Sequence, residues 1–394
     1  MNSTTEVIAV YFPNFHPYPL GQLYYGENWT EWELVKAARP RFDGHYQPKI
    51  PLWGYYDASK PEWAEKENEC ASEHGVTCWL IDWYWYSGVQ MMQEQLEQGF
   101  LKSRNRRKMK FALMWANHPW MNFFPVPYDK TASESNVWLP MRHSLRDLES
   151  VADYCIEHYF KEDNYLKVDG RLYFSFFSYG ILKQELGGTE EVRRGLAKFD
   201  ERVRRAGLPG MHFGINIANV DVSALCWDIQ LIEEVAKAGF HSVFGYNISR
   251  SKDYAKTDMG NPLVDYAEVM DSHRKLWSDC TGRSLPFCPT VTVGCDVSPR
   301  WHPDTDFPIP KLDYPYEPIV INNTPDRFGE LCGDALDYLA ATGVKPAMVF
   351  LNGWNEWTEG NYLCPEKRHG DAYLKALKQA LDGRSEPERP LENA

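Results

Sequence analysis

Short apolar or β-branched runs alternate along this chain with stretches whose apolar residues recur at helical spacing, and the alternation repeats about eight times. The runs Val7–Phe12, Val76–Ile81, Phe111–Trp115, Leu172–Phe177, His212–Ile217, Ser242–Tyr246, Phe287–Val293 and Ala347–Leu351 predict strands. Helical spacing predicts helices over Lys60–His74, Gln90–Arg107, Leu145–Tyr159, Glu190–Ala206, Leu231–Ala238, Leu263–Cys280, Pro325–Ala341 and Asp371–Leu381. Eight βα units point to an α/β fold, a (β/α)8 barrel of the TIM type with long loops at its C-terminal face. A doubly wound open sheet is the alternative, because alternation does not distinguish a closed sheet from one with edges. The number of units favours closure, as does the lack of a GxGxxG turn after the first strand.

Composition narrows the picture. No Gly/Ser-rich linker or low-complexity tract divides the 394 residues, so residues 1–394 read as one catalytic domain. A formal charge of −13 with scattered basic residues argues against nucleic acid or anionic membrane as partner. The exception, Arg104-Asn105-Arg106-Arg107-Lys108, falls where a helix is predicted to end and suits its dipole. The nine cysteines are odd in number and show no CxxC spacing, which disfavours a zinc site or a disulfide framework; no metal or other cofactor is expected. The N-terminus shows no signal-peptide pattern and no apolar run approaches bilayer length, so a complete chain of this sequence is expected in the cytoplasm. No heptad pattern signals an obligate partner, and the oligomeric state stays open.

In such barrels the chemistry sits at the C-terminal ends of the strands, and these ends are rich in polar and aromatic residues. Strand one leads through Tyr11, Phe12, Pro13, Asn14, Phe15 and His16 into more than forty residues containing Glu31, Trp32 and His45, too long for a simple connection. Strand two ends in Asp82-Trp83-Tyr84-Trp85-Tyr86, where alternation sends at least Asp82 or Trp83 to the mouth. Asn117 and Trp120 come after strand three, Asn216 and Asn219 after strand five, Tyr246 after strand six, and Asp296, Arg300 and Trp301 after strand seven. Each has a plainer reading: aromatics seal a core against loops, histidines bond to loop carbonyls, and Asp82 or Asp296 pairs with an arginine for structure alone.

Strand eight delivers Trp354-Asn355-Glu356-Trp357-Thr358-Glu359. Glycosidic bonds are broken by paired Asp or Glu side chains, and sugar rings stack on aromatic faces, so one short segment holds both requirements. At an arbitrary Glu-x-x-Glu the better reading is a helix cap and a solvated charge. Here the position after an eighth strand, between two indoles, favours catalysis by Glu356 and Glu359.

Tyr11-Phe12-Pro13-Asn14-Phe15-His16-Pro17 resembles the opening Tyr-x-Pro-Gln-Phe-His-Pro of the WbsX-type family, often labelled glycosyltransferases and related to glycoside hydrolase family 99. Thr30-Glu31-Trp32, Gly44-His45-Tyr46-Gln47-Pro48, Trp115-Ala116-Asn117, Val168-Asp169-Gly170-Arg171 and Trp354-Asn355-Glu356-Trp357 with Glu359-Gly360 come in that family's order. The resemblance implies a (β/α)8 barrel, with Glu356 as base and Glu359 as general acid in a retaining hydrolysis assisted by the substrate's 2-hydroxyl. Two motifs depart from it: Trp115-Ala116-Asn117-His118-Pro119-Trp120 replaces Trp-Ala-Asn-Glu-Asn-Trp, and Asp82-Trp83-Tyr84-Trp85 replaces a Tyr-His-Tyr-Trp-like run. Mannose specificity is therefore not carried over.

The leading reading is a retaining glycoside hydrolase acting on an oligo- or polysaccharide, with Glu359 kept protonated by an apolar wall such as Trp354 or Trp357 and by its acidic neighbour. Its carbohydrate contacts are expected from Tyr11, His16, Glu31, Trp32, His45, Asp82, Trp83, Asn117, Trp120, Tyr246, Asp296, Arg300, Trp354, Asn355 and Trp357. A nucleotide-sugar glycosyltransferase is the second reading, weakened by the lack of a Gly-rich phosphate loop and by an Asp-x-Asp found only at Asp304-Thr305-Asp306 in a proline-rich stretch. A barrel that binds sugars without turnover is the third.

Overall fold

The computed structural model describes residues 5–122, 124–126, 137–217, 229–249, 262–309 and 314–383. The eight apolar runs become parallel strands: β1 (Glu6–Tyr11), β2 (Cys78–Tyr86), β3 (Lys110–Trp115), β4 (Arg171–Phe176), β5 (Met211–Asn216), β6 (Ser242–Phe244), β7 (Phe287–Cys288 and Thr290–Thr292) and β8 (Met348–Asn352). Neighbours pair in chain order, and β8 pairs with β1. Strand β7 is interrupted at Pro289; its first segment pairs with β6 and its second with β8, so the sheet closes. Closure is the barrel solution, and the open-sheet alternative falls.

Alternation within each strand sorts side chains between the inside and the helical layer. Ile8, Val10, Leu80, Ala112, Met114 and Phe350 belong to an apolar cluster inside the barrel that also includes Tyr173. Gly214 on β5 leaves room for that ring, since a Cβ there would lie 2.3 Å from the Tyr173 hydroxyl. Outside run the helices Pro61–Glu73, Leu145–His158, Thr189–Arg205, Leu231–Lys237, Tyr266–Cys280, Pro325–Thr342 and Ala372–Asp382. No described helix is long and apolar enough to cross a membrane.

The observed elements depart from the predicted ones at four places. Strand β2 runs on to Tyr86 and turns at Ser87-Gly88 into a short strand, Val89–Met91. The helix predicted over Gln90–Arg107 is replaced by single turns at Gln95–Gly99, Phe100–Lys102 and Arg106–Lys108. Gly99 sits in their midst, with room for a Cβ removed by the Ala58 carbonyl at 2.6 Å. The basic run that was expected to serve a helix dipole instead pairs on the surface, Arg104 with Glu65, Arg106 with Glu162, Arg107 with Asp163 and Lys108 with Glu69. A further helix, Tyr179–Leu186, precedes Thr189–Arg205 and ends at Gly187, whose φ of 93° suits glycine. Leu263–Asp265 is a short strand paired with Ile319–Ile321, and helix Tyr266–Cys280 starts only after Asp265 accepts from the Ala267 amide.

Candidate active site

The top inward-facing position of several strands turns polar. On β2 the inward series Cys78, Leu80 continues to Asp82 and Tyr84; on β8 the series Met348, Phe350 continues to Asn352; above Gly214 on β5 stands Asn216. Of the pair left open by alternation, Asp82 therefore faces the mouth. Trp83 does not: it packs among Trp85, Trp115, Tyr154 and Tyr159 in the helical layer.

Beyond β8 the chain folds back on itself. Asn355–Glu356 pairs antiparallel with Asn361–Tyr362 around a tight turn, Trp357–Glu359, closed by Gly360 at φ 63°. A side chain at Gly360 would meet the Asp296 Cβ at 2.7 Å, so glycine is needed for conformation and for space. The turn presents Glu356 and Glu359 to one buried guanidinium, Arg300. Arg300 donates from Nη2 to Glu31 Oε1 at 2.8 Å and from Nε to the Thr358 hydroxyl at 2.9 Å. Its Nη1 donates to Glu359 Oε1 and to the Tyr314 hydroxyl, and Tyr314 itself donates to Glu359 Oε1 at 2.9 Å. Asn14 Nδ2 reaches the other oxygen of Glu31 at 2.6 Å.

Glu356 is the least satisfied of these acids. Its Oε2 lies 3.5 Å from Arg300 Nη2, and no hydrogen bond reaches it among the described residues. Burial, the Glu359 charge and further pressure from Glu31 and Asp82 push its carboxyl well above the usual range, against the opposing pull of Arg300. Burial and then the Glu359 charge do the same to Asp82. Three carboxyls, Glu31, Glu356 and Glu359, thus surround one guanidinium, and burial with the Glu359 charge favours the protonated form of both Glu356 and Asp82. The indoles expected to wall the acid do not: Trp354 and Trp357 point elsewhere.

The long segment after β1 is lashed over this site. Asp296 accepts from Gln47 Nε2 at 2.6 Å and from the Ser298 hydroxyl at 2.6 Å, and bonds His45 Nε2 at 2.8 Å. Arg41 donates to the carbonyls of Pro303 and Thr305 at 3.2 and 3.0 Å. Burial alone would raise the Asp296 carboxyl, but His45, Lys49 and Ser298 outweigh it and hold it down at about 2. A carboxyl titrating below its unfolded value of about 3.9 stabilises the fold above that pH and loses this contribution as pH falls towards 2. We expect Asp296→Asn to lower stability by about 2 kcal/mol at pH 7 and to flatten the acid limb between about pH 4 and 2, as read from thermal unfolding across pH.

Several residues expected to touch sugar are committed to the scaffold. The Tyr11 hydroxyl and Trp354 Nε1 donate to Glu67 on helix Pro61–Glu73 at 2.8 and 3.0 Å, and Tyr56 adds a third donor at 2.5 Å; the cluster lies on the helical side of the sheet. Trp32 and Trp357 face each other with ring centroids 5.8 Å apart, Trp32 donates to the Tyr56 carbonyl, and both are buried where the β1 segment lies on the β8 turn. Asn355 uses its amide on both backbone groups of Phe12, each at 2.8 Å. Asn117 caps the end of β4 through the amides of Phe177 and Ser178 and the Ser178 carbonyl. His16 is buried and bonded to Glu94 at 3.2 Å, and His45 and Asp296 bond each other. Trp354→Phe is expected to lower stability by about 2 kcal/mol, by removing one of the three donors to buried Glu67, while leaving KM roughly unchanged. Unfolding and steady-state kinetics check both halves.

The expected residues that do gather at the mouth are Asp82, Tyr246, Glu31, Arg300, Glu356 and Glu359, with Trp120 buried beside them against Tyr84 and Phe124. Tyr84, Tyr314, Thr358 and Asn352 were not singled out. Parity along β2 would have found Tyr84, and along β8 Asn352; nothing local marks Tyr314, in a proline-rich loop, or Thr358. Of the strand-five residues, Asn219 lies outside the described residues. Among the described residues no cluster of three His, Cys, Asp or Glu side chains is placed to hold a metal ion.

The family model described as Glycosyltransferase WbsX matches residues 7–377. Proteins of two Xanthomonas campestris pv. campestris strains, B100 and ATCC 33913, both called "Uncharacterized protein WxcX", are 26% identical over 386 residues. Those matches cover 95% of this chain and 49% of each relative, so the chain spans about half the length of the curated relatives it matches. The GH99 endo-α-mannosidase from Bacteroides thetaiotaomicron superposes with a TM-score of 0.54 at 14% identity, covering 96% of this chain and 97% of that one. A structure described as a glycoside hydrolase-like protein gives 0.59 at 14% identity, covering 96% and 94%. At such identities the likeness establishes a shared barrel fold and leaves the chemistry to be argued from the site.

Proposed function

The chain belongs to the Glycosyltransferase WbsX family, and from that premise and the carboxyls at its mouth we propose a glycoside hydrolase acting on an oligo- or polysaccharide. The observation that carries the reading is the Glu356–Glu359 pair, held at the C-terminal mouth of the barrel with an unsatisfied oxygen on one member. Glu359 is the more open, with 15% of its side chain exposed against 5% for Glu356, and suits a group that reaches a leaving oxygen. In the proposed reaction Glu359 protonates that oxygen as the C–O bond breaks. Glu356, deeper in the mouth, takes the proton of the sugar's 2-hydroxyl or attacks the anomeric carbon, giving a retaining reaction.

One observation favours the reverse order of roles within the same pair. Two donors, Arg300 and Tyr314, converge on Glu359, an arrangement suited to a carboxylate, whereas burial and the Glu359 charge push the Glu356 carboxyl well above its ordinary value. The nucleotide-sugar transferase suggested by the family's name has less support. Arg300 is engaged by Glu31 and Glu359, and Asp304 of the Asp-x-Asp stretch is exposed beside His302. Release of reducing sugar from a panel of oligo- and polysaccharides, without nucleotide, tests the proposal. Release is expected. Silence across the panel, with tight calorimetric binding of a nucleoside diphosphate, would replace it with the transferase.

A further inference from the structure

The two-carboxylate reaction leaves one acid at the mouth unused. Asp82 stands above Leu80 on the inner face of β2; it is 4% exposed, and its Oδ1 is buried with no hydrogen-bond partner among the described residues. An unpartnered buried carboxyl weakens a fold, and its presence calls for an explanation. The titratable groups facing it are Tyr84 on its own strand, Tyr246 after β6, and Glu356 and Glu359 after β8. All are acids. Arg300, the guanidinium of this cluster, is already held by Glu31 and Glu359.

The surroundings are also aromatic. The Tyr84 ring meets Trp120 edge-on at 5.7 Å, and the Tyr246 ring meets Phe177 edge-on at 5.0 Å. Among the described residues carboxyls outnumber cations here, and with π-systems behind them they form an environment that favours a positive ligand. A carboxyl meant for neutral hydroxyls would serve equally well with protein donors around it. Among the described residues no donor reaches Oδ1.

We propose that Asp82 takes the free amino group of an amino sugar, bound as its ammonium ion, so that the glycan recognised carries an unacetylated amine. The proposal rests on the hydrolase reading for its glycan and extends it to a substrate class. Burial and the Glu359 charge favour the protonated form of Asp82, so an ion pair with an ammonium ion forms with release of a proton to solvent.

Calorimetry on the intact protein at pH 7 tests this, with glucosamine, mannosamine and galactosamine each compared with glucose, mannose or galactose, in phosphate and in HEPES. At least one amino sugar is expected to bind about tenfold or more tightly than its hydroxyl counterpart, a ratio typical of a charge-assisted contact. The difference in heat between the buffers should report net proton release, and Asp82→Asn should lose the preference and the release together. Equal affinities within every pair, no binding by any amino sugar, or a preference retained in the Asn variant would overturn the proposal; the paired ligands and the proton count need only the native protein. Reducing-sugar release separates the two claims. Hydrolysis of neutral glycans without amine preference removes the ammonium site and leaves the hydrolase, while amine binding without any hydrolysis does the opposite.

Discussion

Replacing either Glu356 or Glu359 by Gln is expected to lower kcat by about a thousandfold or more on a natural glycan, with the fold intact. Gln keeps the volume and hydrogen-bonding shape of each side chain and removes only its proton chemistry. The pair acts as a unit, so the double variant should be little worse than either single one. An aryl glycoside with a good leaving group separates the roles, because such a group departs without a proton. If Glu359 is the acid, Glu359→Gln should recover much of its activity on the aryl substrate and Glu356→Gln should not. The opposite recovery would assign the acid to Glu356, the member whose carboxyl burial and its neighbour's charge push well above the ordinary value. Full activity of either single variant on the natural glycan would remove the pair from the mechanism.

The second large effect is on Arg300. Its guanidinium is 4% exposed and holds Glu31 and Glu359 directly, with Glu356 3.5 Å away. Removing one partner from a buried ionic cluster leaves charge without compensation and costs about 3–5 kcal/mol. Arg300→Met is therefore expected to unfold at a much lower temperature and to lose turnover. Glu356 sets the sign of the pH dependence. A carboxyl whose folded value is raised above its unfolded value of about 4.3 contributes stability that is fully present below that pH and is lost as pH rises through the folded value. Without Arg300 the Glu356 carboxyl is raised further, so the deficit should be smaller near pH 5 than near pH 8. Arg300→Lys should recover only part of the loss, since an ammonium ion lacks the planar fork that reaches Glu31, Thr358 and Glu359 together. A deficit independent of pH would mean that packing against Phe124, whose ring lies 4.9 Å from the guanidinium, outweighs charge.

Much of the scaffold was legible along the chain because period-2 and period-3.6 patterns are local. Each of the eight strands lies within a few residues of its apolar run, and seven of the eight helical stretches formed as helices. At Gln90–Arg107 the helical spacing did not yield a helix: the segment begins in the strand Val89–Met91, and Gly99 packs against the Ala58 carbonyl. The catalytic candidates were legible for a different reason: they come directly after the last strand, and a closed barrel gathers at its mouth the residues just beyond its strand ends. Their aromatic neighbours misled. Trp354 and Trp357 adjoin the two Glu residues in sequence, yet strand parity and the overlying β1 segment turn them onto Glu67 and Trp32.

By itself the sequence determined the order of strands and helices, the barrel as the favoured closure, and Glu356 and Glu359 as the candidates for its chemistry. Alternation required that Asp82 and Trp83 face opposite ways, but which of them looks into the mouth was decided only when the ladders on both sides of β2 closed the sheet. The meeting of Arg300 with Glu31, 269 residues apart in the chain, was likewise a product of the closed barrel and of the loops crossing its rim. Local propensities act over a few residues, whereas a buried charge cluster is assembled by the packing of the whole chain, which brings together groups that no local pattern relates.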